Sequence, residues 1–462
     1  QGESGMTLLS HAALLGIIPL VLALFQVLTP RRAVLTGYLL AWLFLPMGGY
    51  SISGLPNYDK VAATTLPAML GVMIFDSERL RSLRLRWFDA PVIIWCLCPI
   101  ASSMFNDLGL YDGVSGALSR LIGWGLPYLM GRLYFSDEQG IKDLAVAIVI
   151  GGLLYVPLCL YEVRMSPQLH HMIYGYHQHA FIQHVRAGGY RPMVFMQHGL
   201  AVAWWMMAAT LIAVALGWSG SRRRLFHVPM LVWAVPLLVT TVLCKSTGAL
   251  LLLMMGAGLW ITARLWRPRP ILLVMAVALP LYLTARVAGW SGDILTEALE
   301  PLVPPARVES LQFRLDTENA RLTLIRHHLL LGTGRIGYAS TEAASFKALD
   351  SMWIITLERY GVLGLASYMV MLLLPVAAVA ARLPQGLLRS RAGAAVLALS
   401  VALLLYVIDK MVNAMTNPIF MLAVGGLSVY ACANAFREVV LPGSHPAYMR
   451  VPVETRQAAG AA

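Results

Sequence analysis

Long apolar stretches recur along almost the whole chain, and polar connections separate them. A helix needs about 20 mostly apolar residues to cross the hydrocarbon core of a bilayer. Most of the connections are too short for a folded domain, so the pattern predicts a protein that crosses the membrane many times. The segments that fit are 8–28, 33–50, 61–75, 91–105, 114–133, 144–161, 193–218, 228–243, 248–266, 271–288, 361–381, 394–408 and 418–435.

The composition favours the same class. Of 462 residues, 58% are hydrophobic and only 13% are charged, and the mean hydropathy is +0.68. Soluble proteins carry about 25% charged residues, so a soluble globular domain is excluded. We predict an all-α polytopic integral membrane protein with about 12–13 transmembrane helices. They form a single transmembrane domain over residues 6–441.

Basic residues mark alternate connections. Cytoplasmic loops of membrane proteins carry an excess of Lys and Arg, so these connections are predicted to be cytoplasmic. The net charge of +12 is attributed to this topology and to adhesion to anionic lipid, and no nucleic-acid partner is expected. The basic residues are Arg31, Arg32, Arg79, Arg81, Arg84, Arg86, Arg132, Lys142, Arg222, Arg223, Arg224, Arg264, Arg267, Arg269, Arg382, Arg389 and Arg391.

Two long connections lie on the opposite, periplasmic side, at about 162–191 and 290–352. Long loops in a membrane protein with otherwise short connections usually carry function. We therefore expect the chemistry at the outer face of the membrane.

The second long loop contains a segment of helical character. Asp316 is predicted to cap a helix that continues to Gly332. On that helix Glu318, Arg321 and His328 would share one face.

Both ends of the chain are predicted to lie outside the folded domain. Residues 1–5 resemble the remnant of a cleaved expression tag, with Met6 as the native start and no removable signal peptide after it. Residues 442–462 have no apolar period and are predicted to be a disordered cytoplasmic tail.

Two other features are interpreted as structural. Asp409 and Lys410, at the outer end of a predicted span, are expected to pair with each other. The cysteines show no disulfide-framework or metal-finger spacing and are expected to be packing residues. They are Cys96, Cys98, Cys159, Cys244 and Cys432.

The strongest local signal is ALDSMWIITLERYGVLGLASYM, where Asp350 and Ser351 precede nine residues and then Gly361 and Gly364. Here the sequence resembles the O-antigen ligase and polymerase superfamily, whose ligases carry His-Asn or His-Ser at the first two positions. The acidic residue at position 350 makes the chain most similar to exopolysaccharide repeat-unit polymerases of the Wzy type. The resemblance implies a GT-C-like arrangement of helices.

Three further stretches support the resemblance, and they occur in the family's order. RAGGYRPMVFMQHGLA, with Arg191, is similar to the family's Arg-containing loop before a helix. CKSTGALLLL places Lys245 where the family usually has Ser-Arg-Gly. ENARLTLIRHHLLLGTGRIGYAS is similar to the helix and Gly-x-Gly segment that precedes the catalytic pair.

The resemblance implies a bacterial inner-membrane glycosyltransferase. Such an enzyme polymerises undecaprenyl-diphosphate-linked oligosaccharides, its donor and acceptor, on the periplasmic face. Flippase and chain-length or export proteins are the expected protein partners, and membrane lipid surrounds the enzyme. The alternatives are an O-antigen ligase that transfers the glycan to lipid A core or to a protein, and a transporter of lipid-linked glycan.

Glycosyl transfer from a lipid diphosphate needs a base for the acceptor hydroxyl proton, and cations for the leaving diphosphate. It requires no metal or other cofactor. Asp350 is the first candidate for the base, Glu342 the second and His198 the third. A helix cap is the structural alternative for Asp350, and a packing histidine for His198.

Five cations are candidates for holding the diphosphate. Arginine makes paired hydrogen bonds to phosphate oxygens and stays ionised in an apolar setting. The structural alternatives are interfacial anchors and solvated surface charges. Arg120 lies inside an apolar stretch, where an ionisable group is by default functional or paired. The candidates are Arg191, Lys245, Arg314, Arg321 and Arg120.

Histidines crowd the first long loop. A His-x-His pair can ligate zinc, but no companion cysteines or spaced carboxylates complete a site. The segment HHMIYGYHQH also fits a polar, aromatic surface that stacks on sugars, and we favour a site without metal.

Overall fold

The computed structural model describes residues 6–51, 55–179, 181–186, 188–266, 268–301, 305–334 and 351–433. Within these ranges the protein is all-α, with three small β-ladders in its connections. The predicted fold class, an all-α polytopic membrane protein, is confirmed. Asp350 and Glu342, the first two candidates for the base, lie outside the described residues, as do the predicted tag remnant and tail.

Each predicted span overlaps a helix, and short helices lie in the connections. The helices that carry the spans are α1 (Leu8–Val27), α2 (Pro30–Phe44), α3 (Lys60–Phe75), α5 (Ala90–Phe105), α6 (Leu110–Arg120), α7 (Leu126–Tyr134), α8 (Glu138–Met165), α10 (Gly199–Ser219), α11 (Met230–Leu243), α12 (Thr247–Leu265), α13 (Pro268–Val287), α16 (Met352–Arg382), α18 (Ala394–Val412) and α19 (Pro418–Ala433). The others are α4 (Ser77–Arg81), α9 (Leu169–Tyr174), α14 (Asp293–Leu299), α15 (Pro305–Leu324) and α17 (Gln385–Arg389).

Among the described residues, eight helices are long and apolar enough to cross a membrane. They are α1, α5 with the turn before it, α8, α10, α12, α13, α16 and α18. Shorter apolar helices are α3, α11 and α19. A π turn at Leu121–Gly125 joins α6 to α7, so that one predicted span is built from two helices.

The β-ladders are antiparallel pairs of two-residue strands. They close turns and add no sheet to the core. The strands are β1 (Gly49–Tyr50) with β2 (Tyr58–Asp59), β3 (Val185–Arg186) with β4 (Gly189–Tyr190), and β5 (Arg224–Leu225) with β6 (Val228–Pro229).

The second helix is shorter than its apolar pattern. The predicted span 33–50 ends at Phe44, and Leu45 is extended with φ of −67° and ψ of 150°. Leu45 precedes Pro46, and a residue before proline disfavours the helical conformation. The remaining predicted residues form the turn and the strand β1.

The connections that the sequence marks as basic meet on one end of the helix bundle. Arg31 pairs with Asp137, and Arg79 Nη1 donates to the Leu133 carbonyl at 2.8 Å. Further along the chain, Arg264 Nη1 donates to the backbone carbonyl of the next basic connection at 2.8 Å. We call this end the basic face. The grouping agrees with the predicted alternation of connections.

The long loops meet on the opposite end, which we call the loop face. Thr7 Oγ1 at the start of α1 donates to the Tyr174 carbonyl at 3.0 Å. Asn106 Nδ2 at the end of α5 donates to the Gly332 carbonyl at 2.8 Å. The N-terminus of α1 therefore lies on the loop face, a side that the sequence alone does not assign.

Candidate functional site

The predicted site residues that the structure describes lie on the loop face, except Arg120, which packs against Trp95 within the spanning part of α5. Arg314 apart, they form two groups together with neighbouring side chains. The groups are the histidine cluster (His179, His184, Arg191, His198 and Lys245) and the α16 cluster (Arg120, Arg286, Glu318, Arg321 and Glu358).

The chain that leads into α10 is not helical, which corrects the predicted span 193–218. The buried Glu162 carboxylate accepts hydrogen bonds from the amides of Met193 and Val194, each at 2.7 Å. Val194 has a φ of +51°, outside the helical region. Because these amides bond to a carboxylate on α8, they do not contribute to a helix, and α10 begins only at Gly199.

Arg191 and Lys245 are brought together by the turn between α11 and α12. The Arg191 side chain is buried, and its Nη2 donates to the Lys245 carbonyl at 2.8 Å. Lys245 has a φ of +49°, and its Nζ donates to the Arg186 carbonyl at 3.2 Å. A Cβ on Gly189 would lie 2.3 Å from this Nζ, so a larger residue there would displace the ammonium. The Arg191 guanidinium thus bonds to the backbone of the residue that carries the second cation.

Three histidines pack beside these cations. The ring centroid of His198 lies 5.1 Å from that of His179 and 5.6 Å from that of His184. The centroids of His179 and His184 are 6.1 Å apart. His198 is the N-cap of α10, and its Nδ1 accepts a hydrogen bond from the Leu200 amide at 3.1 Å. His198 therefore lies at the start of α10 and not inside a helix, as the predicted span 193–218 implied.

The rings of His184 and His198 are held neutral. Burial lowers the pKa of His198 to about 3 and the pKa of His184 to about 4. Neighbouring histidines, Arg191 and Arg186 lower both pKa values further by charge repulsion. Within the described ranges no three His, Cys, Asp or Glu side chains are arranged to hold a metal ion.

The helix of the second long loop differs from its prediction. α15 begins at Pro305, so Asp316 lies inside it and does not cap it. His328 lies in a 3₁₀ turn after the helix and does not share the helical face of Glu318 and Arg321. Proline is favoured in the first turn of a helix, and here it marks the start better than Asp316 does.

Arg314 on α15 reaches the end of α18. Its Nη1 donates to the Val412 carbonyl at 2.6 Å. The connection that follows, 413–417, contacts the residue before His198, because Gln197 Nε2 donates to the Thr416 carbonyl at 3.2 Å. Gln197 and Thr416 line a hollow of about 550 Å³. The connection 413–417 therefore contacts Gln197, next to the histidine cluster. It also directly follows Val412, the residue that Arg314 contacts.

Arg321 and Arg120 both contact the first part of α16. Arg321 Nη1 lies 3.4 Å from Glu358 Oε1, and both side chains are buried. Arg120 Nε donates to Tyr360 Oη at 3.3 Å, and its guanidinium lies 5.1 Å from the centroid of Trp95. Arg321 is thus compensated by a carboxylate, whereas aromatic faces hold Arg120 by cation–π attraction. The assignment of Arg120 to the diphosphate stays a prediction.

Glu318 connects the loop helix to the start of α16. Its carboxylate lies 3.2 Å from Arg286 Nη2 and accepts hydrogen bonds from Ser351 Oγ at 2.7 Å and Trp353 Nε1 at 3.1 Å. Ser351 is the N-cap residue of α16 and directly follows Asp350 in the chain. Glu318 therefore fixes the backbone next to the first candidate for the base.

The sequence interpretation did not assign a site role to several of these residues. Glu358 lies within an apolar stretch, and an ionisable group there is a signal of pairing or function. Glu162 stands at the end of a predicted span and carries a weaker signal of the same kind. His184 had no distinguishing signal among the neighbouring histidines of its loop.

The expected pair Asp409 and Lys410 is confirmed, with Nζ 2.7 Å from Oδ2. All five cysteines are free and buried, in agreement with a packing role.

No model of a known protein family matches this chain, and no curated protein matches it. The function is therefore argued from the side chains of the loop face.

Proposed function

We propose that the protein is an inner-membrane glycosyltransferase that polymerises undecaprenyl-diphosphate-linked oligosaccharide repeat units at its loop face, which faces the periplasm. The observation that carries the proposal is the contact between the buried Arg191 and Lys245 on this face. The resemblance of the chain around Asp350 to repeat-unit polymerases supplies the reaction.

The proposed chemistry is a single displacement. The Asp350 carboxylate takes the proton of an acceptor sugar hydroxyl, whose oxygen bonds to the anomeric carbon of the donor. The bond from that carbon to the phosphate oxygen breaks, and the lipid diphosphate leaves with the electron pair. Arg191 and Lys245 stabilise the charge that develops on the leaving oxygen.

Arg321 and Arg314 have smaller roles in this proposal than the sequence suggested. The Glu358 carboxylate neutralises Arg321, and Arg314 bonds to the Val412 carbonyl. These contacts attach α15 to α16 and α18. We assign both arginines to the placement of the second long loop.

The experiment is polymerisation by the purified full chain in lipid nanodiscs. The substrate is an undecaprenyl diphosphate oligosaccharide, and the product is a ladder of longer glycans on a gel. We expect Asp350→Asn to abolish the ladder while the protein still inserts and binds donor. Asp316→Asn, an exposed carboxylate of α15, is the control and should keep the ladder.

Movement of the lipid across the bilayer without a ladder would contradict the enzyme and favour a transporter. Near-normal laddering by Asp350→Asn would contradict the assignment of the base. Transfer of a single glycan to lipid A core, without a ladder, would favour the ligase.

A further inference from the structure

His184 combines burial with unused hydrogen-bonding capacity. Only 1% of its surface is exposed, and within the described residues neither ring nitrogen has a hydrogen-bond partner. A buried polar group without a partner is costly in a native protein and needs an explanation. A ligand that accepts hydrogen bonds would remove this cost.

The surroundings of His184 favour an anion over any other ligand. The charged and titratable groups around its ring are His179, Arg191, Arg186 and His177. Lys245 is attached to this set through Arg191 and the Arg186 carbonyl. The Glu162 carboxylate, which contacts the chain between Arg191 and His198, is occupied by backbone amides. The cluster therefore carries positive charge and neutral imidazoles.

An anion would change the protonation of these rings. Histidines that are neutral because of burial and neighbouring positive charge gain a stabilising partner when a phosphate group binds beside them. The phosphate oxygens that accept hydrogen bonds from Arg191 can also accept them from an imidazolium. An imidazolium donates from both of its ring nitrogens.

We propose that His184 and His198, with Arg191 and Lys245, form a proton-coupled phosphate subsite that takes up protons from solvent as the anion binds. Only the identity of the natural ligand, a lipid diphosphate, rests on the proposed function. The proton moves from water or buffer to an imidazole nitrogen, and no covalent bond to carbon or phosphorus changes.

The subsite gives anion binding a defined pH dependence. The free rings have low pKa values, and the bound anion raises them. Affinity is therefore greatest at low pH and falls as pH rises through the pKa of the bound state. Between the two pKa values, the affinity should change by up to about tenfold per pH unit for each proton taken up.

The test uses inorganic pyrophosphate and the full chain in nanodiscs of neutral lipid. Calorimetric titrations at pH 6.5 in two buffers of different ionisation heat give the number of protons taken up on binding. Pyrophosphate itself takes up protons in this pH range. The number of protons taken up by His184 is therefore the uptake of wild type minus the uptake of His184→Gln. We expect a difference of about one proton.

His227→Gln is the matched control, because this exposed histidine lies in a turn beside β5 on the basic face. It should keep the wild-type proton uptake. His198→Gln is the second variant and should also lower the uptake, so the test does not depend on one substitution. Circular dichroism and thermal melting verify that each variant is folded.

Two results would overturn the inference: wild type that does not bind pyrophosphate, or equal proton uptake by wild type and both cluster variants. A wild type that takes up protons but makes no glycan ladder would contradict the proposed function and leave the subsite in place. A ladder without proton uptake would contradict the subsite alone.

Discussion

Buried charges of the loop face are held by specific partners, and Glu318 has three of them. Arg286 is fully buried, so its charge depends on the Glu318 carboxylate that lies 3.2 Å away. Removing one partner of a buried ion pair costs about 3–5 kcal/mol, because the other charge is left uncompensated. The same carboxylate holds Ser351 and Trp353 at the start of α16.

We therefore predict that Glu318→Gln destabilises the protein by about 3 kcal/mol and also lowers polymerisation. Glutamine keeps an acceptor oxygen for Ser351 but removes the charge that compensates Arg286. Thermal unfolding in detergent measures the first effect. Glu309→Gln, an exposed position on the same helix, should change stability by less than about 0.5 kcal/mol. Equal melting temperatures for the two variants would contradict the role given to Glu318.

Single residues could be predicted from sequence only where a local pattern marks them. Asp409 and Lys410 are adjacent at a helix end, and their pairing was predicted. Glu162 and Glu318 act through residues that are distant in sequence, such as Val194 and Arg286, so no local pattern reveals them. His198 and Arg191 were named from the sequence as site candidates, but their positions relative to α10 were not predicted.

At the scale of elements, the breaks in the helices carry more information than their lengths. α16 contains Gly361 with φ of +64° and ψ of −163°, a conformation almost restricted to glycine. The break lets Val362 and Leu363 donate to the Leu329 and Leu330 carbonyls at 2.7 and 3.3 Å. The chain that follows α15 is thereby attached to α16.

We predict that Gly361→Ala destabilises the protein by at least about 2 kcal/mol, since alanine is strained at this φ. A Cβ would also lie 2.3 Å from the Leu330 carbonyl carbon. Gly258→Ala in α12 is the control, because a Cβ there meets nothing within 4 Å. Thermal unfolding compares the two. An unchanged melting temperature for Gly361→Ala would rule out the break as a structural requirement.

Helix positions followed from apolar runs, whereas several helix ends did not. Apolar residues continue past Phe44 and before Gly199, so hydropathy overestimates both spans. Proline at position 46 and the Glu162 carboxylate determine the real ends. The first of these is visible in the sequence, but the second requires the packing of α8 against the loop.

At the scale of the whole molecule, the distribution of charge separates the two ends of the bundle. The basic face gathers the connections that the sequence marked with Lys and Arg, and the loop face gathers both long loops. Positive charge resists translocation, so the basic face is expected in the cytoplasm. This organisation was predictable from sequence because it depends on composition and order alone.

Labelling of single introduced cysteines tests this orientation, since all five native cysteines are buried. A membrane-impermeant maleimide should label Glu297→Cys on the loop face in intact cells. Arg223→Cys on the basic face should react only after lysis. Both positions are exposed, so accessibility in the folded protein is matched. Labelling of Arg223→Cys in intact cells would contradict this orientation and place the basic face outside the cytoplasm.

The central claim is that the loop-face cations hold the diphosphate of a lipid-linked donor. The most direct measurement is a titration of the full chain in nanodiscs with an undecaprenyl diphosphate oligosaccharide, with the bound fraction read by native mass spectrometry. We expect at least about tenfold weaker binding for Arg191→Ala, because hydrogen bonds to a charged group are lost. Arg191→Lys should be intermediate, and Arg264→Ala on the basic face should bind as wild type does. Equal donor affinity for wild type and Arg191→Ala would contradict the account.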